Sequence, residues 1–266
     1  MIGVLELEFL LKKYGVDSSV IVNNNGNVLE YGEYLEIKKV LDYLILEVGL
    51  NSKKIEKCPS VLYYNVNAVR RNYEFLTSSE ISISSINNCL HVLSTDPNEL
   101  EECYDYVLSK YGVDILNKQT SILKWPLAKI KRYETLFGDV LEPSALLSAI
   151  FYQKEEDEVF RIINVCKKYN FKIEGNVFKG TPVDIDNIIK ICRDNDIEIS
   201  GSMFRRSYAE VENIIRICKE NNIEITGTVF RRSDKELEDL LVVSKKYNIK
   251  FSFSFIFSHK NRTFSL

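Results

Sequence analysis

Apolar and polar positions recur every 26 residues from about residue 149 onward, in the copies 149–174, 175–200, 201–226 and 227–252. In the third copy Val211, Ile214, Ile215 and Cys218 stand at i, i+3, i+4 and i+7, the stripe of a helix that buries one face. Ile185, Ile188, Ile189 and Cys192 repeat that stripe one copy earlier, and Leu237, Leu240, Leu241 and Ser244 one copy later. Each helix has a written start. Ser207-x-x-Glu210 and Ser233-x-x-Glu236 are capping boxes, and Thr181-Pro182-x-Asp184 is a variant with proline at the first helical position. Asn195-Asp196, Asn221-Asn222 and Tyr247-Asn248 close the helices with residues that tolerate the left-handed conformation. The linking stretch Ile223-Glu-Ile-Thr-Gly-Thr-Val-Phe230 alternates and is β-branched, which suits a short strand, but by position it replaces a short helix or 3₁₀ turn. The helical reading is preferred, and an α/β array is its alternative.

Upstream the period is about 30 residues, marked by Leu62, Leu93 and Leu123. Helices are expected over Leu5–Tyr14 (stopped by Gly15), Leu35–Val48, Val66–Leu76, Asn98–Tyr111 and Leu127–Phe137, with Asp96 as N-cap and Pro97 at N1 of the fourth. Asn23–Asn27 reads as a turn-rich break, and Val28–Tyr31 resembles Val61–Tyr64. Tandem copies that bury their apolar faces only against neighbours predict a mainly α, tandem-repeat superhelical solenoid. Residues 1–148 would hold the longer repeats and 149–266 the 26-residue ones, as one continuous array with a change of pitch near 140–150.

Composition narrows the classes. With 45% hydrophobic and 27% charged residues the chain has an ordinary soluble balance. The first residues lack a basic leader and a small-residue cleavage site, and no apolar run approaches bilayer-spanning length, so a cytoplasmic, membrane-free protein is expected. None of the six cysteines forms CxxC and there are two histidines, leaving no local zinc scaffold. Cys166, Cys192 and Cys218 share one repeat position and read as small buried residues that let helices approach. His91, inside an apolar run, reads as structural. No phosphate loop, GxSxG or HExxH is present, so no enzyme, cofactor or small-molecule substrate is indicated. The formal charge of −3 is uneven: residues 1–50 hold four lysines against eight acids, and residues 201–266 twelve cations against eight acids.

The candidate chemistry is a basic edge. Lys124, Lys154, Lys179, Arg205, Arg206, Arg231 and Arg232 recur just before a helix start, where a row of cations could neutralise phosphates. The competing reading is a solvated edge whose charges pair with following acids such as Glu210 and Glu236. Aromatics accompany the edge. Phe178, Phe204 and Phe230 read as core plugs, whereas Tyr63, Tyr64 and Trp125 are candidates for stacking on bases.

The phrase Ile55-Glu-Lys-Cys58-Pro59-Ser-Val61-Leu62-x₃-Val66-x₂-Val69-x₂-Asn72-Tyr-Glu-Phe75-Leu76 resembles the repeat of the mitochondrial transcription termination factor (mTERF) family. Phe9–Asp17 and Tyr106–Asp114 resemble the end of that repeat, so the likeness spans about residues 5–140. It implies a superhelical α-solenoid whose concave, positive surface binds nucleic acid. This chain departs from the family's pattern in its slightly negative charge, in lacking proline at the equivalent of Pro59 in most later repeats, and in its 26-residue units. The function expected is therefore non-enzymatic nucleic-acid binding through the basic edge. The alternative is a protein-interaction module or inhibitor that grips a protein partner on its concave face.

Overall fold

A computed structural model describes residues 3–19, 21 and 33–246. Among them it contains thirteen α-helices, several one-turn 3₁₀ segments and no strand. The expected break at Asn23–Asn27, the Val28–Tyr31 segment and the helix end at Tyr247-Asn248 lie outside these residues. The chain divides into two compact bodies, Met1–Tyr152 and Gln153–Leu266.

The first body contains α1 (Val4–Lys13), α2 (Tyr34–Leu41), α3 (Ser52–Lys57), α4 (Val66–Ser78), α5 (Ile83–Asn87), α6 (Pro97–Tyr111), α7 (Val113–Lys118), α8 (Leu127–Phe137) and α9 (Pro143–Leu146). The helix expected to reach Val48 changes at residue 42, where α2 gives way to a π-helical turn over Asp42–Glu47. Asp96 caps α6 through the N–H groups of Asn98 and Glu99, at 2.9 and 3.2 Å, with Pro97 at N1 as expected. Gly15 takes φ 67° after α1, the left-handed turn that favours glycine. Short helices α3, α5 and α7 each lead into a 3₁₀ turn (Pro59–Tyr63, Leu90–Ser94, Thr120–Lys124), and a long helix follows each turn.

The second body contains α10 (Glu156–Lys168), α11 (Pro182–Asp194), α12 (Tyr208–Glu220) and α13 (Asp234–Lys246). All four are 13 residues long and begin 26 residues apart. Their stripes are the core: Val159, Ile162, Cys166, Ile185, Ile188, Ile189, Cys192, Val211, Ile214, Cys218 and Leu237 are wholly buried. Burying each large aliphatic stabilises by about 1.5–3 kcal/mol. The cysteines are free thiols, and burial pushes those of Cys166, Cys192 and Cys218 up to about 11. The Ser207–Glu210 capping box is complete, and Ser233–Glu236 makes the same two bonds, at 2.9 and 3.2 Å. At Thr181 the shorter Asp184 accepts from the threonine hydroxyl rather than from the cap's backbone.

Helix ends follow the expected chemistry one residue later in each pair. Asn170, Asp196 and Asn222 have φ 47°, 54° and 52°. The next residues' N–H groups donate back to the Cys166, Cys192 and Cys218 carbonyls at 2.9, 2.8 and 2.8 Å, the six-to-one bond of a Schellman end.

The strand alternative for residues 223–230 is not realised. Residues 223–226 form no ladder, and a 3₁₀ turn over Val229–Arg231 follows. The alternation instead serves close turn-on-turn packing. A Cβ on Gly201 would lie 2.9 Å from Asn176 Nδ2, and one on Gly227 would lie 2.8 Å from Ser200 Cβ. Ser202 Oγ donates to the Gly227 carbonyl at 2.8 Å, linking consecutive turns through a side chain. The left-handed residue is testable: Asn222→Val should lower stability by about 1–2 kcal/mol while Asn222→Gly stays near neutral, read from urea unfolding midpoints.

Candidate nucleic-acid interface

Each 3₁₀ turn buries two consecutive apolar side chains and then exits into a helix cap. The buried pairs are Val61/Leu62, Val92/Leu93, Ile122/Leu123, Phe151/Tyr152, Val177/Phe178, Met203/Phe204 and Val229/Phe230, none more than 1% exposed. The phenylalanines are thus core plugs. Two residues remain between pair and cap, and they behave differently. The first register holds Tyr63, Ser94, Lys124, Gln153, Lys179, Arg205 and Arg231. The second holds Tyr64, Thr95, Trp125, Lys154, Gly180, Arg206 and Arg232.

Second-register cations face inward. Arg206 Nε donates to the Phe230 carbonyl at 2.8 Å, its Nη1 reaches Glu210 Oε1 at 3.2 Å, and its side chain is only 15% exposed. Lys154 makes the matching pair of contacts, to the Gly180 carbonyl at 3.3 Å and Glu158 at 2.7 Å. Arg232 pairs with Glu236 at 3.8 Å. Where the register has Gly180, no cation is available, and a Cβ there would meet Ile185 Cγ1 at 3.0 Å. That repeat is tied by Asp184 instead, whose carboxylate accepts from the Tyr208 N–H at 2.8 Å. Lys154, Arg206 and Arg232 therefore have structural partners, the acid pairing weighed for this edge.

Of the first-register cations in the second body, Arg205 and Arg231 face out and Lys179 is half-buried. Arg205 and Arg231 are exposed, and their guanidinium groups make no hydrogen bond or ion pair with another described residue. Lys179 donates to Asn176 Oδ1 at 2.8 Å, and its ammonium is held below the ordinary lysine range, first by burial and then by the positive charge of Arg205. Lys179 thus feels the charge of Arg205, a local surplus that an anion would relieve.

In the first body the same register lines a cleft of about 600 Å³. Tyr63 and Tyr64 stack on one wall with centroids 5.4 Å apart, and Lys124 lies 5.0 Å from the Trp125 ring. Trp125 itself is half-buried, and its Nε1 is shielded from solvent. His91 joins the lining and contacts Cys89 Sγ at 3.2 Å. Burial, and secondarily Lys124, lowers its pKa to about 4, so it is neutral at physiological pH. Burial likewise pushes the Cys89 thiol up to about 12, which leaves the pair without a thiolate nucleophile. The cleft was not foreseen, although its signal was present: Tyr63, Ser94 and Lys124 each directly follow an apolar pair.

Among the described residues no group of His, Cys, Asp and Glu is arranged to hold a metal ion, and no helix is long and apolar enough to cross a membrane.

Two measurements separate these roles. Arg206→Ala should cost about 1–2 kcal/mol, because a half-buried carbonyl loses a charged donor, whereas Arg205→Ala should stay within about 0.5 kcal/mol in the same denaturation assay. His91 has a folded pKa of about 4 against an ordinary 6.5, so the unfolded chain takes up its proton first as pH falls. Its stabilising contribution is present above pH 6.5 and is lost progressively down to about 4. His91→Gln should flatten the pH dependence of the unfolding midpoint in that window.

Compared with family models, curated proteins and solved structures, the chain matches none.

Proposed function

We propose that the chain is a helical-repeat solenoid of the kind its mTERF-like phrases suggest, and that it binds nucleic acid without catalysing a reaction. The observation that carries this reading is the outward first register of the second body. Arg205 and Arg231 are exposed cations without a described partner, and Arg205 bears on the half-buried Lys179. Cations repeated at one position, each spared from internal ion pairing, suit a polyanion with regularly spaced charges. Arginine adds bidentate geometry toward phosphate oxygens. Such contacts position a strand and carry little sequence information. Lys154, Arg206 and Arg232 contribute to the fold of that edge, and Lys179, Arg205 and Arg231 to its ligand.

The test is binding of a labelled oligonucleotide of about 20 nucleotides across a salt series starting near ~50 mM. The wild-type affinity should fall steeply with salt. The double variant Arg205→Glu/Arg231→Glu should bind at least about tenfold more weakly, with the log–log salt slope smaller by about 2, one per lost cation. Its unfolding midpoint should stay close to wild type. No binding by the wild-type chain at low salt would overturn the proposal.

A further inference from the structure

The cleft in the first body spans three consecutive 3₁₀ turns, Pro59–Tyr63, Leu90–Ser94 and Thr120–Lys124. Its lining combines chemistries that seldom meet on a solvated edge. Tyr63 and Tyr64 stack at an interplanar angle of 30°, and Tyr64, 37% exposed, presents an aromatic surface beside the opening. Lys124 supplies the one full positive charge of the lining, because the neighbouring imidazole is neutral. Asp96 and Glu99 supply negative charge, and Ser60, Ser94 and Thr95 supply hydroxyls. The Oγ of Ser94 is buried without a hydrogen-bond partner.

Simple ligands fit this set poorly. A small inorganic anion would engage Lys124 alone, a simple cation would be repelled by it, and an aliphatic chain would leave the polar lining unsatisfied. A nucleotide answers each part: a flat base for the tyrosine stack, ribose hydroxyls as donors to a carboxylate, and a phosphate for the lysine. A volume near 600 Å³ lies inside the range of about 300–1,000 Å³ common to small-ligand sites.

We propose that this cleft is a base-stacking subsite that receives one unpaired nucleotide, with its base on Tyr64 and its phosphate toward Lys124. The inference rests on the nucleic-acid reading above and names the form of the ligand: single-stranded, because a base stacked inside a duplex has no free face to offer a side chain. The turn exits thus serve two purposes, each within its own body: aromatic and mixed-charge recognition by both registers in the first, and phosphate neutralisation by the first register in the second.

The test uses the full chain and an oligoadenylate carrying 2-aminopurine, alongside a duplex of the same length. Wild type should bind the single strand more tightly than the duplex, with a change in 2-aminopurine fluorescence that reports altered stacking. Tyr64→Ala should weaken single-strand binding by about tenfold and remove the fluorescence change, while duplex binding is unaltered. Tyr64→Phe, which keeps the ring, should retain both. Tyr64→Leu fills the volume without a π face and should behave like Tyr64→Ala, so it decides the matter if the alanine variant is unstable. If single-strand affinity survives both ring-removing variants, or falls equally with duplex affinity, the subsite is overturned while the basic-edge reading stands. If wild type binds no nucleic acid at all, both fail.

Discussion

The exit of each 3₁₀ turn is the constraint on which the rest depends. In four of the seven turns that send two consecutive apolar side chains into the core, carbonyls at the turn's end accept from side chains of the preceding repeat. Asn72 Nδ2 donates to the Leu93 and Thr95 carbonyls at 3.0 and 2.7 Å, Lys129 Nζ to Tyr152 at 2.7 Å, Lys154 to Gly180 and Arg206 to Phe230. A buried carbonyl without a donor costs about 1–3 kcal/mol, so these side chains are committed to the fold. In the second body, what remains for a ligand is the residue between the buried pair and the committed Arg206 or Lys154.

Charge follows from that geometry. Long cations that lean along the seam meet the carboxylate of the next helix, as Arg206 meets Glu210 and Lys154 meets Glu158. The adjacent cations make no ion pair with a described carboxylate, and burial, then the charge of Arg205, holds the ammonium of Lys179 below the ordinary lysine range. The same register in the first body carries tyrosine, serine and lysine, so one backbone device presents different chemistry in the two bodies without altering the core behind it.

Much of this was written in the sequence, because local rules decide it. Stripes at i, i+3, i+4 and i+7, the Ser–Glu capping boxes and the Asn or Asp ends act within a few residues, and helices α10 to α13 appear where those signals stand. The segment at 223–230 was ambiguous because alternation and β-branching favour a strand only where a partner strand exists. Here the neighbouring turn approaches through Gly227 and Ser200 instead. The short helices α3, α7 and α9 carry too few residues for periodicity to reveal, whereas a short helix over Ser84–Leu93 is legible from its place in the repeat and appears as α5 and its 3₁₀ turn. The candidate site was legible as a cluster but not in its roles. In Arg205-Arg206 the two side chains are identical by type. Only the position of the next repeat's Phe230 carbonyl makes one a structural donor and leaves the other to solvent. The cleft joins residues from three turns across more than sixty positions of chain, a proximity that no local pattern encodes.

The most direct measurement is arginine footprinting with phenylglyoxal, followed by mass spectrometry, with and without a saturating oligonucleotide. The account predicts that Arg205 and Arg231 react quickly in the free protein and are protected by the oligonucleotide, while Arg206 and Arg232 react slowly in both states. Equal reactivity within each arginine pair, or unchanged rates at Arg205 and Arg231 when the oligonucleotide is bound, would contradict it.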